Sequence, residues 1–274
     1  MASGQSFSDI HGDQLRIYAG MEGGETMIIR ELTGHEKTLL AMLPGNQGYY
    51  DCPKDDTGRR IGNLVGYAGE YETAEGSGEY KHYVGERYWN FPRGAERNPL
   101  VMSAFVQTVV NQLRGMDEDI DCAFGLPQGG LIPAFEIARL YGCNYSCADK
   151  EVLELKTATS REKSRLTLGR HTVEKDWRSS LVEDLGNNFS TTDKAIRLVE
   201  EHGGIVTVII CMINRSPEGL TIWNHEGRPI PIVQAVLIPT PEYRQDDPYV
   251  AADVEAGNVV WKPKNNWDDL LQIA

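Results

Sequence analysis

"SLVEDLGNNFSTTDKAIRLVEEHGG", residues 180–204, holds a strand, a loop and a helix in one run. Its apolar start ends in two adjacent acids, Glu183 and Asp184. A polar loop of Gly, Asn, Ser and Thr follows, with one aromatic residue, Phe189. The helix begins where Ser190 can cap it, with Asp193 three residues on as a capping-box partner. Ala195, Ile196, Leu198 and Val199 supply its buried stripe, and Gly203-Gly204 ends it. A loop at a helix N-terminus presents backbone N–H groups and hydroxyls, and that is a site for a phosphate. The acids have another task, because a phosphate repels them. Adjacent side chains on a strand point to opposite faces, so one carboxylate faces the cleft and the other supports it. There an acid grips sugar hydroxyls or a hydrated magnesium ion. Acids beside a phosphate cradle point to a phosphorylated sugar.

The flanking sequence repeats the pattern. Asn98 to Gly115 has helical spacing at Val101, Phe105, Val109 and Leu113, with Asn98 as cap and Pro99 at the first helical position. Ile120 to Phe124 reads as a strand, "GLPQGG" as a turn, and Leu131 to Gly142 as a helix ending on glycine. A short strand near Asn144 to Ala148 comes next, then a long charged stretch from Asp149 to Arg178. Gly204 to Ile213 and Ile230 to Thr240 are β-branched runs of the kind buried in parallel sheets. Strands alternating with helices predict an α/β fold, a mostly parallel sheet flanked by helices. Ligands of such sheets bind beyond the carboxyl ends of the strands. "GLPQGG" and "EDLGNNFST" both fall there, so the two loops are expected to share one cleft. "GLPQGG" is not a dinucleotide fingerprint, since G-x-G-x-x-G is absent.

The N-terminal part is different. Gly45 to Phe91 is rich in Gly and Tyr and reads as short strands joined by turns, an antiparallel unit. Its aromatic residues Tyr49, Tyr50, Tyr67, Tyr71, Tyr83, Tyr88 and Trp89 read as sheet core. The expected division is 1–95 as N-terminal extension and antiparallel hood, 96–245 as core and 246–274 as C-terminal tail. The tail carries no readable motif.

Composition narrows the function. The chain has 274 residues and a formal net charge of -13, which disfavours a general nucleic-acid binder or a protein drawn to anionic membranes. No apolar run reaches membrane-spanning length, and "MASGQSFSDIHGDQLR" has no signal-peptide core; a cytoplasmic protein is expected. Cys52, Cys122, Cys143, Cys147 and Cys211 are odd in number and widely spaced, so free thiols are expected rather than a disulfide framework or a zinc site.

"SLVEDLGNNFSTT" resembles the phosphoribosyl-pyrophosphate (PRPP) motif of type I phosphoribosyltransferases: an apolar strand, two acids, two further residues, then a small polar loop. "FGLPQGGLIPAFEIA" is similar to the pyrophosphate loop and helix of that family, especially of orotate phosphoribosyltransferases, and "ADKEVLEL" to the segment where they carry an Arg-Lys-Glu run. The resemblance spans about Val101 to Thr240. It implies a type I phosphoribosyltransferase core under a base-holding hood. The reaction it implies is displacement of pyrophosphate from C1 of PRPP by a nitrogenous, orotate-like base, with Mg2+ bound mainly through PRPP. By position, Glu183 and Asp184 would bind the ribose hydroxyls, with Asp184 in the catalytic acid role, and Lys150 would join them. Gly186, Asn187, Asn188, Phe189, Ser190 and Thr191 would wrap the 5-phosphate, and Pro127, Gln128 and Gly129 would contact pyrophosphate. Arg161, Lys163, Arg165, Arg170 and His171 fall in the family's mobile loop, which closes over pyrophosphate. A homodimer is implied, and no protein-held metal cluster.

The sequence departs from the family at three points. Phe189 stands at the first glycine of the phosphate loop, Asp149 stands where orotate enzymes have arginine, and no Lys-x-His-Gly run is present. These departures leave two alternatives open beside the orotate-like enzyme: a transferase for another base, and a non-catalytic ligand-binding or regulatory protein on the same fold.

Overall fold

The structure, a computed structural model, describes residues 15–18, 27–44, 47–154, 163–189 and 191–272. In chain order the elements are β1 (Leu15–Tyr18), β2 (Met27–Arg30), α1 (Gly34–Ala41), β3 (Tyr49–Asp51), β4 (Leu64–Glu72), β5 (Tyr80–Gly85) and β6 (Arg87–Trp89). A single π-turn (Pro92–Glu96) leads into α2 (Pro99–Leu113), β7 (Cys122–Gly125), α3 (Leu131–Tyr141), β8 (Asn144–Cys147), β9 (Asp149–Glu154) and β10 (Lys163–Thr167). Then come β11 (Arg178–Gly186), α4 (Thr192–Glu201), β12 (Ile205–Asn214), β13 (Ile222–His225), β14 (Arg228–Leu237), α5 (Ala251–Glu255), β15 (Val259–Trp261) and α6 (Trp267–Leu270).

The central sheet runs β13-β14-β12-β11-β7-β8. All its pairings are parallel except that of β13 with β14. The fold class read from the sequence is therefore the observed one, an α/β sheet flanked by helices. Side-chain alternation along the strands explains its two dry faces. On β12, Val208, Ile210 and Met212 face one core with Val106, Val109 and Val110 of α2, Ile137 of α3 and Leu39 and Leu40 of α1. Ile209 and Cys211 face the other core, with Ala195, Ile196 and Val199 of α4. After β7 the chain crosses by α3 to β8; after β11 it crosses by α4 to β12 on the other side. The strand order thus reverses between β7 and β11, and such a switch point opens a crevice at the carboxyl ends.

Local chemistry sets the element ends. Asn98 caps α2 by accepting the Leu100 N–H at 3.2 Å, and Gly142, at φ +95°, ends α3 in the left-handed region. The charged stretch after β8 differs from the open loop expected. It forms an antiparallel ribbon, β9 with β10, because alternating residues such as Val152 and Leu166 support strand pairing. Its tip, with Arg161, lies outside the described residues, as does Ser190.

The antiparallel hood holds β4 paired with β5 and β3 with β6. The tail is part of it: β15 adds to β4 in parallel, and Trp267 and Leu270 pack with Tyr50 and Tyr67. Phe91 meets Phe105 edge-on at 5.4 Å, which joins hood to core. All five cysteines are free. No described helix is long and apolar enough to cross a membrane.

Buried Glu36 ties the first helix to the end of β14. It closes a capping box with Thr33 and accepts the Leu237 N–H at 2.9 Å. Replacing Glu36 with Ala leaves the Thr33 cap but removes the carboxylate that accepts the Thr33 and Leu237 N–H groups, with an expected loss of about 2–4 kcal/mol. Glu36→Gln keeps an acceptor and should lose less than half of that. Urea unfolding of both variants checks the order.

Candidate active site

The crevice is built from three strand ends. Gly125 closes β7 and begins the "GLPQGG" turn, β11 ends in the acids, and β12 ends at Asn214-Arg215. Two glycines let the first two come together. A Cβ on Gly130 would lie 1.9 Å from the Val182 carbonyl oxygen, and one on Gly129 would lie 2.2 Å from the Asp184 carboxyl carbon. Asp184 therefore rests directly on the backbone of the predicted pyrophosphate loop, whose Pro127–Gln128 peptide is cis. Both predicted acids are in the crevice. Burial and then the Asp184 charge push the Glu183 carboxyl up to about 8, and burial raises Asp184 too, although the Leu185 N–H donates to its Oδ1 at 2.9 Å.

Glu96, at the end of the π-turn, faces them from the hood. Its Oε1 is buried and has no hydrogen-bond partner, and burial followed by the Asp184 charge pushes it up to about 7. Three carboxyls thus share the crevice without three full charges at neutral pH. Among the described residues there is no group of three or more His, Cys, Asp or Glu able to hold a metal ion. A pair of acids suits a magnesium ion that arrives with its own phosphate oxygens and water.

The "GLPQGG" turn lines a cavity of about 150 Å³ through Pro127, together with Lys150, Ser164, Arg165, Leu166, Thr191 and Lys194. Lys150 comes from β9, Arg165 from β10 and Lys194 from the first turn of α4, so three cations from three elements converge on one space. Arg165 also pairs with Glu151 at 2.7 Å. The structure thus brings together Pro127, Lys150, Arg165 and Thr191 of the predicted site. Gln128 and Asn188 are exposed.

Other predicted residues are placed elsewhere. Lys163 and Arg165 belong to β10 rather than to a loop. His171 packs edge-on against Tyr145 of edge strand β8, with ring centres 5.7 Å apart, and Arg170 shares its turn. The expected capping box rests on Ser190, which lies outside the described residues. Thr191 is the N-cap and makes no side-chain cap bond, while Asp193 is engaged by Trp223 and His225 at 3.0 and 2.9 Å. Asp149 turns toward Gly169, where an added Cβ would meet its carboxylate at 2.0 Å.

The Phe189 side chain turns away from the predicted phosphate loop. Its backbone has φ +50°, and its ring is buried beneath Gly186 and against Cys211 and Trp223. Asn187 donates to Glu242 at 3.0 Å, and Arg215 donates to the same oxygen at 2.8 Å. The Arg215 guanidinium lies 4.8 Å from the Tyr67 ring centre and 5.6 Å from that of Trp89. Glu96, Lys194, Arg215 and Glu242 escaped the sequence reading. Arg215 alone had a signal, because it directly follows a buried strand at its carboxyl end.

No family model matches the sequence. Solved structures similar to this chain include three of note. One is a purine phosphoribosyltransferase from Pyrococcus horikoshii Ot3, at 24% identity over 41% of this chain and 72% of that one, with a TM-score of 0.35. Another is a UMP synthase from Leishmania donovani, at 18% identity over 74% of this chain and 36% of that one, with a TM-score of 0.44. A third is an adenine phosphoribosyltransferase from Rhodothermus marinus DSM 4252, at 14% identity over 73% of this chain and 98% of that one, with a TM-score of 0.44.

Two measurements check this geometry. Phe189→Ala should cost about 3–5 kcal/mol for the lost ring. Phe189→Gly should cost about 1 kcal/mol less, since glycine accepts the positive φ; equal losses in urea unfolding would contradict the observed backbone. The acids set the pH dependence. The pKa of Glu96 is about 7 when folded against an ordinary 4.5, so its stabilising proton is present below the unfolded value and lost as pH rises through the folded one. Glu183 acts with the same sign, out to about 8. The urea midpoint should therefore fall between about pH 5 and pH 8, and Glu96→Gln should flatten that fall.

Proposed function

We propose that this protein binds PRPP in the switch-point crevice and transfers its phosphoribosyl group to a nitrogenous, orotate-like base, releasing pyrophosphate. One observation carries the reading: the "GLPQGG" turn serves two groups at once, with Pro127 lining a cavity together with Lys150, Arg165, Lys194 and the N-cap Thr191, and Gly129 lying against the Asp184 carboxyl. Cations and a helix N-terminus suit phosphate groups; half-buried carboxyls suit hydroxyls. A ligand carrying both is a phosphorylated sugar. The orotate-like base rests on the resemblance of the "FGLPQGGLIPAFEIA" and "ADKEVLEL" segments.

In this reading Glu183 and Asp184 accept hydrogen bonds from the ribose hydroxyls and hold C1 in line. The base nitrogen donates its electron pair to C1 as the C1–O bond breaks. That bond's electrons leave with pyrophosphate, and the nitrogen's proton passes to a base or to solvent. Positioning and stabilisation of the leaving charge supply the catalysis. Lys150 and Arg165 meet the departing diphosphate from the β9–β10 ribbon, and Asp184 and Glu183 would hold magnesium through its water. When bound, the ion neutralises diphosphate charge. Glu96, poised near neutrality, can hold or release a proton on the hood side.

Calorimetric titration of PRPP with magnesium tests the reading, with micromolar binding expected. Lys150→Ala and Lys194→Ala should each weaken it about tenfold, near 1.4 kcal/mol. Asp184→Asn should cut transfer at least a hundredfold, about 2.7 kcal/mol. Absence of PRPP binding at millimolar concentration would end the proposal. Binding without transfer to orotate or any other base would leave the ligand-binding protein instead.

A further inference from the structure

The β13–β14 hairpin grips the phosphate loop and the helix behind it, and the reaction proposed above makes no use of that grip. Phe189 occupies a left-handed conformation, at φ +50°, that disfavours a residue bearing a side chain. Its buried ring is held 5.8 Å from the Trp223 ring centre. The indole N–H of Trp223 donates to Asp193 Oδ1 at 3.0 Å. Nδ1 of the buried His225 lies 2.9 Å from the same oxygen; a carboxylate only accepts, so Nδ1 carries the hydrogen. The far nitrogen of His225 stands 3.8 Å from Glu200 at the other end of α4. Arg228 pairs with Glu200, and Arg197 with Glu226 at 3.2 Å. One hairpin thus holds the loop at Phe189 and the helix at its first and last turns. Between the two inner anchors, Phe189 and Asp193, stands Thr191, and the next residue is Lys194; both line the cation cavity.

We propose that Trp223 and His225 are positioning residues: they hold Phe189 and Asp193 so that Thr191 and Lys194 are set for a phosphate group. This rests on the reading of the cavity as a phosphate site. A glycine at 189 would bend the loop without anchoring it; here an aromatic pair and a shared carboxylate fix the bend from below. Disturbing the buttress should therefore weaken the capture of phosphate and leave bond breaking at C1 nearly as it was. In kinetic terms KM rises while kcat holds.

The test pairs PRPP–magnesium titration with amide hydrogen exchange on the full chain. Trp223→Leu and His225→Leu should each weaken PRPP binding about tenfold and speed exchange at residues 187–194 by a similar factor, with β12 amides unchanged. His225→Asn, whose Nδ2 can take the place of the Nδ1–H, should stay within about twofold of the parent. Unchanged loop exchange in both leucine variants would overturn the proposal. So would exchange that rises equally in β12, which is the mark of a merely structural role. Should Trp223→Leu fail to fold, the His225 pair decides alone. If the parent protein itself fails to bind PRPP, the phosphate reading falls, while the exchange comparison still decides the buttress.

Discussion

The closest approach in the molecule that matters for its chemistry is between Asp184 and the backbone of Gly129. The two segments belong to strands separated by a helix, a further strand and a ribbon in the chain. They meet because β7 and β11 are neighbours at the place where the strand order reverses. They can meet closely only because positions 129 and 130 have no Cβ: one would strike Asp184 and the other the carbonyl of Val182. A methyl group at either position would push the turn off the sheet end, and the acids, the cation cavity and the cover of the hood are all placed relative to that contact.

Charge is partitioned across the crevice. A chain of net charge -13 concentrates Lys150, Arg165 and Lys194 around one small cavity, while its carboxyls next door are lifted by burial and by each other. Carboxyls lifted in this way carry less charge near neutrality than the same groups on the surface would. The same burial makes them sensitive to pH near neutrality, where a surface carboxyl would be indifferent.

The hood is held over this crevice by a polar hub rather than by apolar contact alone. Glu242 receives both Arg215 and Asn187, and Arg215 lies between Tyr67 of β4 and Trp89 of β6. Removing one member of so buried a pair leaves the other charge uncompensated, which costs several kcal/mol. The hub ties β12, the loop between β11 and α4, and the hood into one unit. On the other face of the sheet the same loop is anchored by the Phe189 ring against Trp223.

Much of this was legible in the residues themselves, because it depends on local rules. Periodicity gave away α2, α3, α4 and the buried strands β7, β11, β12 and β14, since burying one stripe of a helix or both faces of a strand demands a pattern that a linear chain displays. Glu183 and Asp184 were marked by their place at the end of an apolar strand, while Lys150, Pro127 and Thr191 were singled out by the resemblance of their segments. What a side chain meets across the fold is not local. That the Phe189 ring turns inward, that Asp193 meets Trp223 and His225, and that the charged stretch after β8 pairs into a ribbon all depend on partners outside their own segment. Glu96 and Glu242 come to the site from the hood and from beyond β14, and neither position carries a spacing rule. Sequence alone determined which segments would be buried and which strand ends would carry acids and glycines. Only the tertiary structure decided which residues those ends would face, because packing, and not chain order, chooses the neighbours of a buried group.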